Sequence, residues 1–158
     1  MKTRFRSLIV ALIGAFCWTS VALAAGGDSW SSGPSEDPAI AQAQAAIQAK
    51  DWPRAAAVMR AALAAHPDSA DYHNLYAYAL RKGPNPDMNE VFRHYEEALR
   101  LDPKHRNAHE YIGEAYLQVG NLAKAKEHLA ALDKLCFLSC EQYRDLKQAI
   151  ADYEAKHR

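Results

Sequence analysis

Apolar positions recur at spacings of three and four along most of the chain, and the pattern itself returns. Three segments align: KDWPRAAAVMRAALAAHPD from Lys50, PDMNEVFRHYEEALRLDPK from Pro86 and GNLAKAKEHLAALDKLCFL from Gly120. Trp52 then matches Met88 and Leu122, Ala55 matches Val91 and Ala125, Met59 matches Tyr95 and Leu129, and Ala62 matches Ala98 and Leu132, at offsets of 36 and 34. Such spacing puts the apolar side chains on one face of a helix, so each segment is predicted to be an amphipathic helix. A second kind of helix precedes each of them. Its stripe is Tyr76, Ala77 and Leu80 in DYHNLYAYALRKG, and Ile112, Gly113 and Tyr116 in NAHEYIGEAYLQVG. IAQAQAAIQAKD carries a weaker version, with Ala43 and Ala46 beside Ile47. Small residues in these stripes predict close approach of the paired helices. Gly83 and Gly120 follow the leading helices and are expected to end them in the left-handed conformation. Pro67 and Pro103 forbid continuation at the end of a pair and prepare the next helix.

A helix-turn-helix period of about 34 residues, a small residue in mid-helix, an early Ala in the second helix and a closing Asp-Pro resemble the tetratricopeptide repeat family. The third copy carries Ile112-Gly113, Tyr116, Gly120, Ala125, Leu129 and Leu132 but has Leu135-Cys136 where the family closes on Asp-Pro. The second has two extra residues in its turn, GPNPD, and the first has Ala39 and Gln42 where bulkier side chains are usual. The resemblance implies an all-α fold, an α-solenoid of three helix-turn-helix pairs over residues 37–69, 70–105 and 106–137. Residues 138–158 then read as a capping helix, with Tyr143, Leu146, Ile150 and Tyr153 on one face to cover the open end of the stack. Ser139 with Gln142 three residues later is expected to form the capping box that starts it.

In this family the leading helices line a concave groove that takes an extended peptide or a partner helix. The resemblance therefore implies a non-enzymatic protein-protein interaction module, an adaptor or assembly scaffold whose partner is another protein or peptide. The residues expected to turn toward the groove are Asn74, Tyr78 and Arg81 in the second copy, with Asn107, Glu110, Tyr111, Glu114 and Gln118 in the third. Amide, aromatic and charged groups together can hydrogen-bond a peptide backbone and pack on its side chains. The Lys/Asn constellation with which some members hold a C-terminal carboxylate is not reproduced. The flat, Ala-rich surface of the first pair also allows a homo-oligomer.

The N-terminus changes the picture of where such a module works. Lys2, Arg4 and Arg6 precede an apolar run from Leu8 to Val21, and Ala22-Leu23-Ala24 fits signal-peptidase cleavage. Residues 1–24 are thus expected to be a signal peptide, and the protein to be periplasmic or secreted in a bacterium after cleavage near Ala24. Membrane contact is expected only if that segment is retained, as it would be in a membrane-tethered envelope assembly factor. Cys17 leaves with the peptide, and bulky Phe16 before it is unlike a lipid-attachment site. Residues 25–36, AGGDSWSSGPSE, have the composition of a flexible leader, with Trp30 as a contact for the domain or a hook for a partner. The mature chain carries 16 Lys and Arg against 19 Asp and Glu, a net charge of −3 without a dense basic block, so no nucleic acid partner is expected.

Export also sets the expectation for Cys136 and Cys140, which flank the corner Phe137-Leu138-Ser139 between two helices. A tight corner can bring two Cα atoms within the ~4.4 to 6.8 Å that a disulfide demands, and an oxidising compartment favours the bond. Closing so short a loop is worth roughly 2 kcal/mol, a local clip on the capping helix. The alternative is a thiol-redox or metal-handling protein using the same pair. Against it, redox motifs carry two intervening residues beside a strand, and His128 is about 12 Å back along its helix. His105 and His109 share a helix face at metal-binding spacing, yet nothing acidic or sulfurous stands at matching spacing to complete the set, and His73 with His109, like His94 with His128, occupy equivalent repeat positions. No nucleophile, base or phosphate-binding loop presents itself, so no catalytic residue, metal or cofactor is assigned.

Overall fold

The computed structural model describes residues 37–157, which form seven helices. They are α1 (Pro38–Gln48), α2 (Trp52–Ala65), α3 (Ala70–Lys82), α4 (Met88–Leu101), α5 (Arg106–Gln118), α6 (Leu122–Leu135) and α7 (Glu141–Lys156). The expected signal peptide, leader and Trp30 hook lie outside the described residues. No helix among the described residues is long and apolar enough to cross a membrane.

The helices start where the sequence offers side-chain acceptors. Asp37, Asp51, Ser69, Asp87, His105 and Asn121 each occupy the N-cap of α1 to α6 and accept a backbone N–H of the first turn, satisfying donors that have no partner within the helix. The expected capping box of α7 is absent. Its N-cap is Cys140, without a side-chain bond, because Ser139 stands in the left-handed region at φ 64° and Gln142 turns elsewhere.

Turns inside the pairs show a second departure. Gly120 ends α5 at φ +80°, as expected. Gly83 does not, for its φ is −71°, and the left-handed residue of that turn is Asn85 at φ 51°. The two extra residues move the chain reversal downstream, so the positive φ moves with it. In the first pair Lys50 takes the equivalent place at φ 56°, a conformation that strains a residue with a Cβ by roughly 1–2 kcal/mol.

Within each pair the helices pack through an apolar seam, and three clusters make one spine. Ala43, Ala55, Met59 and Tyr76 join α1, α2 and α3; Ala77, Val91, Tyr95 and Ile112 join α3, α4 and α5; Ala125, Leu132, Leu146 and Ile150 join α6 and α7. The leading helices α1, α3, α5 and α7 approach their successors in the row backbone to backbone, whereas the backbones of α2, α4 and α6 stay apart. Closer spacing along one layer than the other curves the stack, with the leading helices inside. The small residues permit it. A Cβ on Gly113 would stand 2.6 Å from a Leu146 methyl, so α7 rests directly on the α5 backbone.

Candidate functional site

The inner row of helices brings several expected groove residues together. Arg81 on α3 is buried, and its guanidinium donates to Glu114 on α5 at 2.7 Å and to the Tyr95 hydroxyl at 3.4 Å. Its Cζ also sits 5.6 Å from the centre of the Tyr78 ring. Tyr78 and Tyr111 meet with ring centroids 4.6 Å apart. Tyr95 comes from α4, the second helix of its pair, and so stands outside the set expected from the leading helices. Four groups from α3 and α5 thus form a continuous polar and aromatic wall that ties adjacent repeats.

The remaining expected residues fall differently. Asn107 is exposed and accepts from Gln142 of α7 at 2.8 Å. Gln118 lines an open concavity of about 580 Å³ with Arg81 and Glu114, closed on its far side by Asp152, Tyr153 and Lys156 of α7. Asn74 is only 2% exposed, and its Oδ1 has no hydrogen-bond donor among the described residues. Glu110 is 8% exposed and likewise without a hydrogen bond. Burial and the neighbouring carboxylates of Glu114, Asp145 and Glu141 push its pKa up to about 8, against a smaller lowering by Arg81. Asn74 and Glu110 are equivalent positions 36 residues apart.

The α7 helix therefore does more than close the stack, because it forms a wall of the groove. A sequence signal for this exists: Tyr143, Leu146 and Ile150 repeat His109, Ile112 and Tyr116 at an offset of 34. Lys147 stands where Gly113 would recur, which hid the correspondence behind a capping reading.

Away from the groove, the four equivalent histidines meet in pairs between the two helices of a repeat. His73 Nδ1 is 2.8 Å from His94 Nδ1, and His109 Nδ1 is 3.0 Å from His128 Nδ1. His73 Nε2 reaches the Pro67 carbonyl at 2.9 Å and His109 Nε2 the Pro103 carbonyl at 3.1 Å. A carbonyl only accepts, so each Nε2 carries the proton, each neighbouring Nδ1 accepts, and His94 and His128 donate from Nδ1. Burial, then the partner imidazole, lowers the pKa of His94 and of His128 to about 4. His105 and His109 do not converge: His105 caps α5 and bonds Asp71 at 3.0 Å. Among the described residues no group of three or more His, Cys, Asp or Glu side chains could hold a metal ion.

The sulfurs of Cys136 and Cys140 lie at bonding distance, with Cα atoms 5.4 Å apart, as the corner predicts. The bond closes the segment that joins α6 to α7, and it leaves Phe137 and Leu138 at 93% and 86% exposure on its outer side.

Comparison with known proteins agrees with this geometry. Two family models described as tetratricopeptide repeat match residues 40–87 and 87–150, together more than half of the chain. No curated protein matches it. A solved structure described as the TPR2B-domain:pHsp70-complex of yeast Sti1 is similar over 75% of this chain and 94% of that one, at 21% identity and a TM-score of 0.66. At that identity the likeness speaks for the fold.

Proposed function

Because this chain belongs to the tetratricopeptide repeat family, we propose that it is an exported, non-enzymatic adaptor that holds a segment of another protein against α3, α5 and α7. The observation that carries this is the wall of Tyr78, Arg81, Tyr111 and Glu114 beside an open concavity of about 580 Å³. Paired aromatic faces supply contact area at little entropic cost, and a fixed ion pair supplies both a donor and an acceptor direction. The similar yeast domain is described as a complex with pHsp70, which supports a protein segment as occupant. A groove of three repeats and a wall helix is short, so binding in the micromolar, transient range fits it. The apolar run and Ala22-Leu23-Ala24 support a periplasmic or secreted address after cleavage near Ala24.

Crosslinking in the cell envelope, comparing the natural protein with Tyr78→Ala and Tyr111→Ala, tests the reading. Discrete crosslinked partners that fade in both variants are the expected result. Partners that persist unchanged in both would remove the groove as the binding surface.

A further inference from the structure

We infer that the groove end between α5 and α7 takes a basic side chain, lysine or arginine, from the bound protein segment, with Glu110 at its floor and Glu114, Glu141 and Asp145 around it. This rests on the reading of the groove as a protein-binding site and names the chemistry of what enters it.

Helix geometry builds the bowl. Glu110 and Glu114 are one turn apart on α5, and Glu141 and Asp145 one turn apart on α7. The two helices are held by the Asn107–Gln142 hydrogen bond at 2.8 Å and by Leu146 lying on Gly113. Those contacts bracket Glu110 on one helix and Asp145 on the other, so the acidic turns face each other. Glu141 and Asp145 are exposed at the mouth, whereas Glu110 is nine-tenths buried and has no hydrogen-bond donor among the described residues.

The charges around Glu110 come from three elements. Its own helix gives Glu114 and Tyr111, α7 gives Glu141 and Asp145, and α3 gives Tyr78 and Arg81. Arg81 is a cation acting on it, and that guanidinium is already committed to Glu114 and Tyr95. What the site lacks is a group that donates without accepting and carries positive charge. An ammonium or guanidinium meets both needs, and the exposed parts of the Tyr78 and Tyr111 rings suit the cation's approach. Unpaired, Glu110 keeps a pKa of about 8 and is mostly neutral near pH 7. An arriving cation would favour its ionised form, so one proton leaves as the side chain enters.

Random short peptides selected against the intact protein at about pH 8 supply the probe. The expected outcome is enrichment of peptides containing Lys or Arg. Their affinity should fall by ~10-fold in Glu110→Gln and in the double variant Glu141→Gln/Asp145→Asn, and should rise up to ~10-fold per pH unit from about pH 6 to about pH 8. Glu110→Gln, which imitates the protonated acid, should lose that pH dependence. Glu141 and Asp145 are exposed, so the double variant tests the bowl even if the buried substitution perturbs folding. Enriched peptides without basic residues, or unchanged binding to the variants, would overturn this inference and leave the adaptor reading standing. Tight binding of free spermine equal to the best peptide would show an amine site in place of a protein site and overturn it too. Failure to enrich any peptide would overturn both.

Discussion

The histidine seams and the groove treat buried titratable groups in opposite ways. In the seams each inward nitrogen has a partner: Nδ1 meets Nδ1, and the far nitrogen of His73 or His109 meets a proline carbonyl. The neutral forms of His94 and His128 are favoured and are used, since they complete the bond between the helices of a pair. In the groove Glu110 is also held neutral, its pKa about 8 against about 4 for the two histidines, but no group among the described residues hydrogen-bonds to it. The first arrangement stabilises the fold through its neutral state. The second is a cost to the fold, and a cost retained at a surface cleft fits a group kept for a ligand.

Acid should break the seams first and with the largest effect. A base whose folded pKa is depressed gives stability that is complete above its unfolded value and is lost as pH falls toward the folded one. For His94 and His128 that window runs from 6.5 down to about 4. A shift of that size corresponds to about 3 kcal/mol at each site, and partial exposure of both side chains brings the pair to about 4 kcal/mol together. Urea unfolding of the natural protein should therefore weaken steeply across this range, while His94→Gln/His128→Gln, which keeps a side-chain donor, should show a flatter dependence. Parallel curves for the two would mean that other groups carry the acid transition.

Alkali should sharpen the groove's side of the contrast. Glu110 has a folded pKa raised above 4.5, so its contribution is present below that value and is lost as pH rises through about 8. Removing the ionisable group removes the loss. Glu110→Gln should match the natural protein near pH 4.5 and exceed it by about 2 kcal/mol above pH 8, after discounting for the water that reaches the cleft. A denaturation midpoint that drops in the variant at high pH would show that the carboxylate is partnered in solution, and the two regions would no longer differ in kind.

What the sequence allowed to be read divides along the same line. Periodicity places the paired helices because each has one wet and one dry face, and Trp52, Met88 and Leu122 sit at the start of that dry face in all three copies. The histidines were visible as equivalent positions. Their pairing was not, since whether residue 73 meets residue 94 depends on the angle between two helices. Glu110 was legible as a groove-side residue, but the α7 carboxylates that act on it were not, because a missing small residue disguised that helix as a cap. Gly83 shows the limit of local rules, because the reversal it should have made lies two residues on, at Asn85.

The smallest effect expected concerns Asn74, which shares its repeat position with Glu110 and shares its lack of a donor at Oδ1. A buried acceptor left without a partner costs about 1–3 kcal/mol, and an apolar residue of similar shape escapes that cost. Asn74→Leu should then raise the unfolding free energy by about 1 kcal/mol. The sign is what matters. A gain would place Asn74 with Glu110 as a second groove position held in a state the fold does not favour, and the contrast with the seams would become a property of the inner row of helices. A loss would mean that the acceptor is satisfied in solution, and the uncompensated group of the groove would be Glu110 alone, at the one site where a wall helix crowds acids together.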